Sequence, residues 1–209
     1  MTVYETFKEK IKELAEQDWN EEAITARYLK LLKHGIPAKK LDYAELKAEK
    51  PQILKRVQHR AEEYNYMAKN CPQGTALALM EEFGVGSMTV VKALCPFPGI
   101  AGTGNMCGGV TGGLIAMGLC FGTDDIRDFE ATGTVIQMGQ QFMAAFENEL
   151  GHLLCADIHE HVVFGRNMDP GAGPENMAAF AEAKGFEKCG AVTGIGARLA
   201  AGFIIDGLK

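Results

Sequence analysis

The sequence has no closely spaced cysteine pair. Its six cysteines stand at positions 71, 95, 107, 120, 155 and 189, with no Cys-x-x-Cys among them. A dithiol couple of the thioredoxin kind uses such a pair, and ferredoxin and zinc-finger loops space their ligands tightly, so none of these local motifs is present. Long apolar runs are also missing. No stretch offers the roughly 20 uninterrupted apolar residues that a membrane span requires; the run Gly108 to Phe121 is apolar but short, and reads as a core helix. The opening Met-Thr-Val-Tyr-Glu-Thr-Phe-Lys lacks the apolar centre of a secretory signal. A cytoplasmic location is the resulting expectation. In a reducing compartment, cysteines serve as ligands, catalytic thiols or core residues rather than as structural disulfides. Excess positive charge is absent too. The net charge is −6, and the basic residues of the first third alternate with acids as on a solvated helix face, which argues against a nucleic-acid binder.

What is present is helical. Phe7, Ile11 and Leu14 repeat at helical spacing. Asn20 caps a segment running to His34-Gly35, and Asp42 caps another. Pro51 opens a charged helix reaching Lys69. At Asn70 the character changes. Asn70-Cys71-Pro72-Gln73 sets proline in a first helical turn, and an apolar helix follows to Phe83-Gly84. Residues 87 to 94 are a short helix or strand. Residues 95 to 105, dense in proline and glycine, form a loop leading to Cys107. Asp124 and Asp125 are expected to cap a helix of about 125 to 149, with Ile126, Phe129, Val135, Met138, Phe142 and Phe146 inward. Residues 165 to 174 read as a second loop, 174 to 184 as a short helix stopped by Gly185, and Cys189 as the start of the last helix. The expected fold is all-α: a multi-helix bundle-like domain with glycine-rich central helices, residues 61–209, preceded by an N-terminal helical extension, residues 1–60. The extension has little core of its own, so a homodimer is expected.

One pattern recurs. Cys107-Gly-Gly-Val-Thr-Gly112 matches Cys189-Gly-Ala-Val-Thr-Gly194. Glycine costs about 1 kcal/mol per site inside a helix, and 25 glycines, many in apolar segments, imply close approach of helices or of a cofactor. Cys71, Cys107 and Cys189 each precede or open a helix, where unpaired N–H groups favour thiolate. A lowered thiol pKa is therefore expected at these positions, with Gly108, Gly112, Gly190 and Gly194 leaving room for a backbone or a cluster. Cys95 and Cys120 read as simply buried residues. His152, His159 and His161 cluster around Cys155. His152 and His159 are candidate catalytic groups, by ligation or proton relay. Arg166 and Arg198 are candidates for binding a carboxylate.

These residues resemble the C_GCAxxG_C_C family, whose members are described as redox-active. The resemblance rests on Asn70-Cys71-Pro-Gln with Glu81-Glu82-Phe83-Gly84; on Cys107 to Gly112 with Ala116-Met117-Gly118-Leu119; on Leu153-Leu154-Cys155; and on Cys189 before the C-terminal helix. It covers about residues 60 to 207. Gly109 departs from the alanine of the motif, and Pro72 stands where alanine is usual. The family includes relatives of the split-Soret cytochromes, which carry c-type haem and an iron–sulfur centre. Covalent haem needs Cys-x-x-Cys-His, which this chain lacks, so only the iron–sulfur part carries over.

The leading expectation is a redox protein with an iron–sulfur cluster on Cys71, Cys107, Cys155 and Cys189, exchanging electrons with a partner protein or small molecule. A disulfide/dithiol couple without a cofactor is the first alternative. A reductase or lyase acting on a small molecule near residues 95 to 106 is the second; if the chain is an enzyme, it is expected to be an oxidoreductase. Structural zinc on the same four thiolates is the third. No nucleic acid and no membrane insertion are expected.

Overall fold

The computed structural model describes residues 3–208, with side-chain surroundings from residue 7 onward. Met1, Thr2 and Lys209, which belong to the opening segment and to the outer limits of the two expected domains, lie outside the described residues. The described chain is helical and carries no strand, only an isolated antiparallel bridge between Met106 and Leu154. In order the helices are α1 (Val3–Glu16), α2 (Glu21–His34), α3 (Tyr43–Ala48), α4 (Lys50–Ala68), α5 (Cys71–Phe83), α6 (Met88–Ala93), the one-turn α7 (Gly99–Gly102), α8 (Gly108–Phe121), α9 (Phe129–Leu150), the short α10 (Cys155–Asp157), α11 (Pro174–Glu182) and α12 (Gly185–Gly207). A π-helical turn, Ile158–Val163, continues α10, and a 3₁₀ turn spans Pro170–Ala172. The all-α expectation holds, and residues 87 to 94 resolve to helix.

Local chemistry sets most boundaries. Asn20 accepts from the Ala23 N–H, Asp42 from Ala44 and Glu45, and Asn70 from Gln73, so each side chain satisfies amides that the first turn leaves unpaired. Gly84 and Gly151 end α5 and α9 in the left-handed conformation that glycine adopts without strain. The start of α9 differs from expectation. Asp128, rather than Asp124 or Asp125, caps it, accepting from the Ala131 N–H at 2.9 Å. Asp125 instead pairs with Arg127 at 2.8 Å. The helix thus begins late, and its first turns stand clear of the packed layer. Ile126 and Phe129, expected inward, are 90% and 81% exposed, whereas Phe142 and Phe146 are fully buried.

α12 is the central helix, packed against α4, α8, α5, α1 and α9. By length and composition alone it is apolar enough to cross a membrane, although Arg198 interrupts the apolar run, and 67% of its apolar window is buried inside this fold. α8 and α12 cross with their backbones in contact. A Cβ on Gly196 would lie 2.4 Å from the Gly109 carbonyl oxygen, and one on Gly109 would lie 3.0 Å from that of Val192. Glycine at both positions is what permits this approach, as the glycine content suggested.

The boundary expected at residue 60 falls inside α4. Val57 and Ala61, on either side of it, are buried in one cluster with Phe7, Ile11 and Leu14 of α1. Several charges of α4 turn inward and are paired: Lys10 with buried Glu62 at 3.2 Å, Arg27 with Glu63 at 2.6 Å. Arg56 of α4 donates two bonds, 3.0 and 2.6 Å, to Glu82 of α5.

Candidate four-cysteine site

Four segments bring four cysteines together. Cys71 is the first residue of α5, held by the Asn70 cap and Pro72. Asn70 also donates to the Cys95 carbonyl oxygen at 3.1 Å, tying this helix start to the loop beyond α6. Cys107 is the N-cap of α8. Its N–H donates to the Leu153 oxygen at 2.9 Å, and the Cys155 N–H donates to the Asn105 oxygen at 2.7 Å. This pair of bonds locks the stretch before α8 to the stretch before α10, so Cys107 and Cys155 are fixed relative to one another. Cys189 does not open α12. The helix starts at Gly185, where a Cβ would meet the Phe180 ring at 2.5 Å, and Cys189 lies a turn further in. The two copies of Cys-Gly-x-Val-Thr-Gly are therefore presented differently, one from a helix start and one from a helix interior.

The small residues beside the thiols differ in role as well. A Cβ on Gly108 would lie 2.2 Å from the Cys71 sulfur, so the bare glycine is the space that sulfur occupies. Gly112 admits Pro72 and Thr75 of α5. Gly190 and Gly194 instead face Leu14, Asn65, Gln58 and Glu62, serving the packing of α1 and α4 and not the cysteines.

The thiols form one electrostatic group. Burial pushes Cys71 and Cys189 well above the ordinary thiol value, Cys107 up to about 11 and Cys155 up to about 12. Beyond burial, neighbouring thiols raise three of the four: Cys71 responds to the other three, Cys155 to Cys107, and Cys189 to both Cys155 and Cys107. The expected lowering is thus reversed. Gly109 and Val110 do point N–H groups at the Cys107 sulfur and favour its thiolate, but desolvation outweighs them. All six cysteines are free thiols. Cys95, expected to be buried, is exposed instead, and Cys120, far along α8, is raised by burial alone with no cysteine acting on it. Neither joins the group.

His159 does join it. It sits in the π-helical turn after Cys155, is 4% exposed, and its Nδ1 lies 2.9 Å from the Met168 carbonyl oxygen. A carbonyl only accepts, so in the neutral ring Nδ1 carries the proton and Nε2 is left with a lone pair. That nitrogen faces two sulfurs, Cys189 at 3.5 Å and Cys155 at 3.6 Å. Burial lowers the His159 pKa, against the Met168 bond, and keeps the ring neutral. Phe164 and Phe180 hold it from the sides, each 5.4 Å away. His152, the other catalytic candidate, stacks on His161 at 4.9 Å instead. Arg198 pairs with Glu149. The one available sequence signal for His159 was its spacing of four from Cys155; Met168, which fixes its tautomer, gave none. Among the described residues, no group of three or more His, Cys, Asp or Glu side chains is arranged to hold a metal ion.

The fold and site define an all-α protein with a cysteine group assembled from four separate segments around a helix crossing. Residues 69–203 match the family described as "Putative redox-active protein (C_GCAxxG_C_C)", and the chain belongs to that family. The match begins beside Cys71 and takes in all four cysteines, leaving α1 to α4 outside it. No curated protein and no solved structure matches the chain.

Proposed function

We propose that this protein is an electron carrier that holds an iron–sulfur cluster on Cys71, Cys107, Cys155 and Cys189. The observation that supports the reading is geometric: Gly108, next to Cys107, seats the Cys71 sulfur, backbone bonds tie the Cys107 segment to the Cys155 segment, and His159 Nε2 lies 3.6 Å from the Cys155 sulfur and 3.5 Å from that of Cys189. Four cysteines are the usual ligand set for such a cluster. Thiols that resist ionisation in an apolar setting become thiolates when a cationic group shares the space. The donor set fits in two further respects. Gly108 leaves room at the Cys71 sulfur, and the Gly109 and Val110 amides are aimed at the Cys107 sulfur, where N–H donors stabilise ligand charge. When bound, the cluster supplies one-electron transfer. The chain's own part is to keep the ligands dry, and to hold His159 Nε2 against Cys155 and Cys189.

His159 favours a second reading. Cys155 and Cys189 share one proton acceptor, as a dithiol that exchanges with a disulfide substrate requires. In that exchange a Cys155–Cys189 bond forms, the substrate's S–S bond breaks, and its sulfurs leave as two thiols carrying the two protons.

Anaerobic purification with iron and sulfide analysis separates the two. The cluster reading expects iron and acid-labile sulfide in equal amounts, with visible absorption that bleaches on reduction. Cys107→Ser and Cys189→Ser should lose that absorption, because a serine hydroxyl is hardly ionised at neutral pH, whereas Cys120→Ser should retain it. Equal loss in all three variants would point to packing and defeat the assignment. A colourless, iron-free protein that forms a Cys155–Cys189 bond on oxidation would transfer the case to the dithiol.

A further inference from the structure

A cleft of about 720 Å³ opens between α1, the end of the π-helical turn, and the junction of α11 with α12. Small-molecule sites span roughly 300–1,000 Å³. The cleft carries Lys12, Lys184 and Lys188 against Glu16 and Glu182, so it is net positive in a chain whose net charge is −6. Its width is fixed by structure: Lys184 donates to the Ala15 carbonyl oxygen at 2.7 Å, tying the start of α12 to α1. Its floor is apolar, with Ile11, Val162 and Phe164. The Phe164 ring has Lys188 Nζ 5.5 Å from its centroid and meets the His159 ring edge-on. One aromatic layer therefore separates the cleft from the histidine that faces Cys155 and Cys189, and Lys188 immediately precedes Cys189 in the chain.

We infer that this cleft is a binding site for a small organic anion, a carboxylate or phosphate on a flat apolar body. The lysines set the sign of the ligand by local field, which matters most where the rest of the surface repels anions. The apolar floor sets the body, since an ion held by charge alone needs no such surface. The site is distinct from the cysteine group and stands whether that group holds a cluster or acts as a dithiol.

The test is calorimetric titration of the full chain, with and without iron, using phenyl phosphate, benzoate, inorganic phosphate and neutral benzyl alcohol. Saturable one-to-one binding of the aryl anions is expected, with benzyl alcohol and inorganic phosphate each weaker by about tenfold. The stronger of phenyl phosphate and benzoate identifies the head group. A Lys12→Glu/Lys188→Glu variant should lose about tenfold in affinity, while Lys30→Glu/Lys33→Glu on exposed α2 should bind as the native chain does. Thermal unfolding of both variants verifies folding, and a native chain that binds none of the probes refutes the site whatever the variants do. Equal loss in the two variants, or none in the cleft variant, would also refute it. Iron and sulfide content is read separately on the same samples, so failure of the cluster assignment is not mistaken for failure of the cleft.

Discussion

Replacing Gly108 by alanine adds one methyl group where the Cys71 sulfur already lies. The new Cβ would stand 2.2 Å from that sulfur, 2.4 Å from Pro72 Cδ and 2.8 Å from the Pro72 nitrogen. Contacts of a Cβ below 3.0 Å essentially do not occur, so the sulfur must retreat by about 0.8 Å, or α8 must lift from α5. Neither motion is free. Cys71 is held by its cap and by proline, and α8 is pressed on its other side against α12. Overpacking of this kind costs about 1–3 kcal/mol, equivalent to a fall of about 2–12 °C in Tm for a chain of this size. Under the proposed cluster reading the Cys71 sulfur would move as well, so iron content should fall with stability. Gly118→Ala is the control. It lies on the same helix with nothing within 4 Å of its would-be Cβ, and should gain up to about 1 kcal/mol from helix propensity. The assay is thermal unfolding of the reduced, metal-free protein, followed by iron analysis after cluster assembly. A Gly108→Ala protein with native Tm and native iron content would refute the claim that this glycine is the seat of the Cys71 sulfur.

Gly196→Ala should be among the most destabilising glycine changes, because its Cβ would meet backbone that cannot yield, the Gly109 oxygen at 2.4 Å and its carbonyl carbon at 2.7 Å. A loss of about 3 kcal/mol is expected by denaturant titration, against little change for Gly190→Ala, whose Cβ would touch Leu14 at an ordinary 3.4 Å; equal stability of the two variants would contradict the crossing. The reduced, metal-free chain should also lose stability in alkali. Folded thiols hold their protons more tightly than unfolded ones, so the stabilisation is complete below the ordinary thiol value near 9 and is lost as pH rises through about 11 for Cys107 and about 12 for Cys155. At pH 10.5 each such thiol has forfeited about 2 kcal/mol, and Cys107→Ser should show a shallower fall of Tm between pH 8 and pH 10.5. A native Tm flat across that range would rule out the burial of these thiols.

Much of the chain was written locally. Caps at Asn20, Asp42 and Asn70, and stops at Gly84 and Gly151, are decided by side chains a few residues from the amides they satisfy, and so can be read without the fold. The family pattern likewise named the four cysteines that converge. Tertiary structure decided the rest. Asp125 and Asp128 are both good caps; with Arg127 engaging Asp125, Asp128 starts α9, and Ile126 and Phe129 are left in solvent. Cys189 looked like Cys107 because the following residues match, yet only packing against Phe180 shows that α12 begins earlier, at Gly185. The direction of the thiol pKa shifts could not be read from helix starts, because desolvation depends on every segment that closes over the sulfurs and here exceeds the pull of the local amides. His152 and His159 were equivalent in sequence. The Met168 carbonyl and the Phe164 ring, brought back by the turns that follow, and the Phe180 ring of α11 aim one of them at two sulfurs, while the other stacks on His161. Helix starts and stops, and the cysteines that carry the pattern, depend on neighbours along the chain and are legible there. Which groups touch depends on segments meeting in space, and no local pattern encodes that.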